Sequence, residues 1–145
     1  MELLANLIGH KMIALDTLTK KAREAAQRAY APYSKFPVGA ALVDQHGNYF
    51  SGCNVENLAF PSGICAEQNA ISNAVSEIGP TLKIDTILVY TPTGNLTTPC
   101  GSCRQVINEF ATSSTRVVCV CDSKEILDIG IGELIPHATE IDKLK

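Results

Sequence analysis

Two short cysteine motifs carry the chemistry of this chain: Cys65-Ala66-Glu67, and further along Pro99-Cys100-Gly101-Ser102-Cys103. Three thiolates can hold one zinc ion and leave its fourth tetrahedral position to solvent. A zinc ion with an open position lowers the pKa of bound water toward ~7, which makes hydroxide at neutral pH. Glu67, two residues beyond the first thiol, is placed to take the proton from that water and pass it on. A glutamate in the first turn of a helix is also favoured simply by the helix dipole, but its distance from Cys65 favours the chemical role. Together these groups suit hydrolytic cleavage of a polar carbon–nitrogen bond. A structural zinc site normally takes four protein ligands, and these motifs supply three. Cys53, Cys119 and Cys121 are in strand positions, where a thiol is commonly inert packing. A four-cysteine structural site recruiting one of them is the alternative. His10, His46 and His137 read as surface or turn residues.

The elements around these motifs follow from periodicity and breakers. Thr17 opens a helix whose Ala22, Ala25, Ala26 and Ala29 form a small-residue face suited to close packing. Pro32 and Pro37 end it. Residues 38–43 and 49–53 read as strands joined by the turn Asp44-Gln45-His46-Gly47-Asn48, a β-hairpin. Residues 54–63 form a loop. Residues 65–78 form a helix, with Ala66, Ala70, Ile71, Ala74, Val75 and Ile78 at helical spacing, and Gly79-Pro80 stops it. A buried strand at 84–90, a loop at 91–99, a helix at 100–110, a buried strand at 116–121 and a short helix at 131–135 complete the order. Cys65 and Cys100 therefore open two different helices. The partial positive charge there favours thiolate over thiol, and a spacing of three puts Cys100 and Cys103 on one face. Strands alternating with helices imply an α/β domain built on a helix-covered sheet. No repeat or linker divides residues 1–145.

Composition narrows the function. The chain has 145 residues, 46% of them hydrophobic and 19% charged. That is the profile of an ordinary globular domain, which buries roughly two thirds of its unfolded surface. A net charge of −3, no basic run, no Trp and 6% aromatic residues argue against a nucleic-acid partner. Residues 1–15 are apolar in places but contain Glu2, His10 and Lys11. They read as a frayed or packed helix, too short to span a membrane and without a basic leader. A cytoplasmic location is the expectation. Six cysteines clustered as C-x-E and C-x-x-C in such a setting favour metal ligation over disulfides.

Four motifs in order resemble the cytidine deaminase family, in its small zinc-dependent nucleoside form. They are the run from Tyr33-Ser34-Lys35-Phe36-Pro37 to Ala41, Gly52-Cys53-Asn54-Val55-Glu56-Asn57, Ile64-Cys65-Ala66-Glu67, and Pro99-Cys100-Gly101-Ser102-Cys103-Arg104-Gln105. The resemblance covers residues 31–136, and cysteine as first ligand is closer to the nucleoside enzymes than to polynucleotide editors. It implies a three-layer sandwich with a mixed central β-sheet covered by helices. It also implies one Zn2+ per chain held by Cys65, Cys100 and Cys103, with Glu67 as proton shuttle. The substrate it implies is a small pyrimidine nucleoside, cytidine or deoxycytidine. Asn54 and Glu56 would hold the ribose 3′-hydroxyl, Phe36 would pack on the pyrimidine face, and the backbone at Ala66 and near Thr98 would grip the base edges. It further implies a homotetramer with shared active sites. Three positions depart from the family pattern. Gln68 replaces an arginine beside the metal ligands, so a donor to sulfur remains without its charge. Phe60 replaces a tyrosine, and Pro136-His137-Ala138-Thr139 lacks a C-terminal aromatic. Those departures leave room for another cytosine-containing substrate, such as a blasticidin-type antibiotic. A non-catalytic zinc-stabilised binding module is the reading from outside enzymology.

Overall fold

The structure, a computed structural model, describes residues 2–139, with side chains described for Met12 and from residue 14 onward. Helix α1 (Glu2–Ala26) is followed by strands β1 (Gly39–Asp44) and β2 (Tyr49–Cys53), helix α2 (Ala66–Ile78) and strand β3 (Ile84–Tyr90). Helix α3 (Gly101–Glu109), strands β4 (Ala111–Val120) and β5 (Ile126–Gly130) and helix α4 (Ile131–Leu134) complete the order. The strands form one sheet in the order β2-β1-β3-β4-β5. Only β3 and β4 are parallel, and the other neighbouring pairs are antiparallel. The mixed sheet covered by helices is as expected.

Alternation along the strands makes the three layers, because successive side chains leave a strand on opposite faces. Ala40, Leu42, Ile87, Val117 and Cys119 pack with Ala66, Ala70, Ile71, Ala74 of α2, Ile107 of α3 and Leu134 of α4. Ala41, Val43, Leu88, Tyr90, Val118 and Val120 pack on the other face with Leu18, Ala22 and Ala26 of α1. A continuous apolar strand such as β1, buried at every position, is the pattern of a strand covered on both sides.

Two glycines set how closely the helices lie on the sheet. A Cβ on Gly39 would stand 1.9 Å from the Ala22 carbonyl oxygen of α1, and one on Gly52 would stand 2.4 Å from the Ala70 nitrogen of α2. The alanine face of α1 thus meets bare backbone on β1. Ala22, Ala25 and Ala26 are buried there, while Ala29 lies beyond the helix end.

The structure corrects several sequence boundaries. Helix α1 begins at Glu2, well before Thr17. Strand β4 starts at Ala111, before Arg116. Its register slips between Ile84 and Thr86 of β3, and Thr115 closes the irregular stretch by accepting from Thr112 N–H at 2.8 Å and donating to the Ile84 carbonyl at 2.6 Å. The Thr-Ser-Ser-Thr run reads as a loop because its side chains compete for backbone partners. Strand β5 was not expected at all. It is a five-residue edge strand with no fully buried position, held by its ladder to β4 and an Arg116–Asp128 pair at 2.7 Å. Among the described residues no helix is long and apolar enough to cross a membrane.

Candidate metal and nucleoside site

Cys65 is the N-cap of α2 and Cys100 the N-cap of α3, each extended and neither making a side-chain cap bond. A serine or aspartate there would turn its oxygen back onto the helix N–H groups. The cysteine leaves its sulfur free. Cys103 sits one turn into α3 and is fully buried. The three sulfur atoms lie within 4.8 Å of one another. Zinc–sulfur bonds near 2.3 Å in a tetrahedron separate sulfurs by about 3.8 Å, so the group needs only slight closure. No fourth His, Cys, Asp or Glu ligand atom joins it among the described residues. Cys53, Cys119 and Cys121 stay outside, as strand thiols should. The donor set, three soft sulfurs at two helix N-termini, fits one zinc ion per chain.

The three thiols do not share one electrostatic environment. Burial pushes Cys65 and Cys103 upward. Burial acts on Cys100 too, but the Cys103 N–H and the Cys103 and Cys65 thiols outweigh it and hold Cys100 below the usual thiol range. Cys100 is thus the corner that gives up its proton most easily.

Glu67 lies in the first turn of α2 and is 5% exposed. Burial raises its carboxyl above the ordinary range, against the pull of its own backbone N–H and the Cys103 thiol. Its carboxylate and the sulfurs are therefore neighbours. Cys119, on the strand beneath, is raised to about 11 by burial and then by the nearby Glu67 charge.

The other expected residues fall into two groups. Asn54 and Glu56 flank Val55, which bridges Tyr30 and Ile64, so they project to the same side of an extended segment. Asn54 Oδ1 accepts from the Val38 N–H at 2.8 Å and Nδ2 donates to the Phe36 carbonyl at 3.0 Å. One lone pair and one N–H of its amide remain for a ligand. Glu56 accepts from the Tyr33 N–H at 2.9 Å, from the Ser34 N–H at 3.2 Å and from the Ser34 hydroxyl. The Ser34 hydroxyl is the largest influence holding its carboxyl low. These two side chains shape the 33–38 segment that presents Phe36, and Lys35 takes a left-handed φ of 58° within it. Glu56 also lines a cavity of about 400 Å³ with Tyr33, Ser34, Asn57, Phe60 and Gly63. Asn54 and Glu56 do not bond each other; each holds its own part of the loop.

Ala66 is buried at the start of α2 and Thr98 is exposed in the loop before α3. Gln68 donates to Ser102 Oγ at 3.1 Å, not to sulfur. It ties the two ligand-bearing helix starts together through their side chains. Sequence reasoning gave no role to Ser34, Asn69 or Arg104. Asn69 donates to the Cys53 carbonyl at 2.7 Å and seats α2 on β2. Ser34 and Arg104 were visible only as motif members and Asn69 not at all, since the partners of Asn69 and Ser34 are 16 and 22 residues away.

A layered α/β sandwich whose paired helix N-termini converge three thiols beside a buried carboxylate defines a zinc-dependent hydrolase. Residues 12–121 match the cytidine and deoxycytidylate deaminase zinc-binding region. The cytidine deaminase of Sporosarcina psychrophila is 39% identical over 86% of this chain and 90% of its own length. That of Mycoplasma pneumoniae is 40% identical over 85% and 92%. The crystal structure of cytidine deaminase from Burkholderia pseudomallei superposes with a TM-score of 0.79 at 38% identity, covering 86% of this chain and 98% of that one. The chain belongs to the cytidine deaminase family and is a zinc-dependent hydrolytic deaminase.

Proposed function

We propose that this enzyme converts cytidine and 2′-deoxycytidine to uridine and 2′-deoxyuridine with release of ammonia. The observation that carries the reading is the convergence of Cys65, Cys100 and Cys103 beside the buried Glu67. The relatives' shared activity supports it. When bound, zinc supplies Lewis-acid activation of water at neutral pH. Glu67 would take a proton from the attacking water and deliver it to the ring nitrogen, then carry the remaining hydroxyl proton to the departing amine, so that the carbon–nitrogen bond breaks to ammonia as the C4 carbonyl forms. Its burial suits the task, because desolvation raises the carboxyl above its ordinary range and makes it a stronger proton acceptor. Phe36 packs on the pyrimidine face. Asn54 and Glu56 hold sugar hydroxyls with their remaining hydrogen-bonding capacity, and the backbone at Ala66 and Thr98 holds the base edges. Gln68 braces the ligand turns through Ser102.

The active unit is a homotetramer in the cytoplasm serving pyrimidine salvage. Support for the assembly comes from a strip of exposed apolar side chains along 30–36 and 55–64. Leu58 is 79% and Phe60 76% exposed, and Tyr33 meets Phe60 edge-on at 6.2 Å. Apolar strips of this kind mark interfaces, and this one borders the cavity at Glu56, so a neighbouring copy would close it.

An ultraviolet assay on cytidine, deoxycytidine and blasticidin S, run with metal analysis and sedimentation, tests the reading. Cytidine turnover with one zinc per chain is expected, and Glu67→Gln lowers kcat by about 10²–10⁴-fold while zinc is kept. Undiminished turnover in that variant removes Glu67 from the chemistry. Preference for blasticidin S changes the substrate, no turnover with bound zinc favours a binding module, and a monomer overturns the shared site.

A further inference from the structure

Arg104 directly follows the ligand Cys103, and the ion pairs among the described residues, Arg23–Asp122 and Arg116–Asp128, do not include it. Its guanidinium is committed to neutral acceptors in two separate stretches of chain. Nε donates to the Pro99 carbonyl at 2.8 Å, Nη2 to Thr98 Oγ1 at 3.1 Å, and Nη1 to the Leu134 carbonyl at 3.1 Å. Its backbone N–H donates to the Cys100 carbonyl at 2.9 Å. The side chain thus reaches back over one helical turn onto the loop from which α3 springs. That loop has no strand or helix ladder of its own over residues 94–100. The backbone hydrogen bonds of the region end at Thr93, which accepts from Asp122, and begin again at Cys100, which accepts from Arg104. Pro99 can donate nothing, so residues 98 and 99 are held through what they accept: the Pro99 carbonyl, at the Pro99–Cys100 peptide, and the Thr98 hydroxyl both receive from Arg104.

We propose that Arg104 is the positioning residue of this site, a three-armed clamp that fixes the Thr98–Pro99 backbone at the substrate's base edge and locks it to the end of α4 through Leu134. The inference rests on the proposed nucleoside reading for its consequence in catalysis, though not for the clamp itself. A planar fork is what the arrangement requires. Donors leave a guanidinium in fixed, divergent directions, whereas a lysine ammonium is a point charge on a flexible stem and cannot hold three acceptors on two segments at once. A contact that grips the base equally in ground and transition states appears in KM more than in kcat.

Arg104→Gln, Arg104→Lys and Thr98→Val are compared with the parent as zinc-loaded protein. Zinc per chain, hydrogen exchange of the peptide spanning residues 91–103, and kcat and KM for cytidine are measured. Both Arg104 variants keep one zinc per chain, exchange the loop amides about 10-fold faster, and raise KM about 10-fold with kcat changed less than about 3-fold. Thr98→Val removes one arm only. It raises KM by about 3-fold, and its effect does not add to that of Arg104→Gln because both act on the same bond. Parent-like KM in Arg104→Lys overturns the clamp in favour of charge alone. Unchanged loop exchange in all three variants overturns it outright, as does full additivity with Thr98→Val. If the parent fails to deaminate cytidine while loop exchange still quickens in the variants, the substrate reading falls and the clamp stands.

Discussion

Placing a single methyl group on Gly52 should damage the metal site from the adjacent layer. In β2, Gly52 pairs with Ala40 and faces the second turn of α2. A Cβ there would sit 2.4 Å from the Ala70 nitrogen and 2.8 Å from the Asn69 carbonyl carbon and Cβ, all parts that cannot swing away. Ordinary contact begins near 3.4 Å, so α2 must withdraw by about 1 Å. Alanine in place of a strand glycine gains roughly 0.5–1 kcal/mol from the unfolded chain. Overpacking costs about 1–3 kcal/mol, and stretching the 2.7 Å Asn69–Cys53 bond costs about 1 kcal/mol more. The clash therefore decides the sign, and Gly52→Ala loses about 1–3.5 kcal/mol. Cys65 and Glu67 ride on the N-terminal end of α2, while Cys100 and Cys103 ride on α3. A 1 Å displacement between two halves of a reacting constellation is worth about 10²-fold in rate. Urea unfolding of zinc-loaded protein, zinc per chain and cytidine turnover are the measurements. Gly94→Ala, where a Cβ meets nothing within 4 Å, is the control and stays within about 0.5 kcal/mol. A Gly52→Ala protein as stable and as active as the parent would refute the reasoning that close backbone approach places the site.

Cys103→Ala leaves two sulfurs, one on each helix, and should empty the site, abolish turnover and lower the melting midpoint; a chelator then lowers that midpoint no further, and full zinc content in the variant contradicts the ligand assignment. Glu56, whose carboxyl is held low first by the Ser34 hydroxyl, contributes stability that is present above the ordinary 4.5 and lost as pH falls through its depressed folded value. Ser34→Ala moves that value up toward 4.5, so the acid-side loss of stability begins at higher pH; a carboxyl titration by nuclear magnetic resonance that does not move removes Ser34 as the cause.

The fold was legible where burial leaves a strong pattern and illegible where it does not. Strands β1, β3 and the second half of β4 are nearly continuous apolar runs, and α2 carries apolar residues at helical spacing; each was placed within a residue or two. Strand β5 escaped because only Leu127 and Ile129 pack against the core, and an edge strand draws its order from the neighbour's ladder. The early part of β4 escaped because Thr112, Ser113, Ser114 and Thr115 have loop chemistry, and only the Ile84 carbonyl partner turns them into strand. A helix was expected both in residues 1–15 and from Thr17, but their union into the single helix α1 was not legible, because Thr17 carries an N-cap signal of its own.

For the site, residue type and short spacing were sufficient wherever chemistry is local. Three thiols within C-x-E and C-x-x-C point to a metal, and their sulfurs lie within 4.8 Å of one another, because the 3.6-residue period puts Cys100 and Cys103 on one helix face. The helix-covered sheet and the alanine face of α1 follow from similarly local periods, while the three-layer order came from the family resemblance. Tertiary structure alone decided the rest: that Gln68 reaches Ser102 and not a sulfur, that Asn54 and Glu56 each brace a different part of the Phe36 loop, and that Arg104 joins Thr98, Pro99 and Leu134. Those partners sit up to 34 residues apart. A hydrogen bond between distant residues depends on how the layers settle to within a few tenths of an ångström, and no motif in the chain encodes that distance.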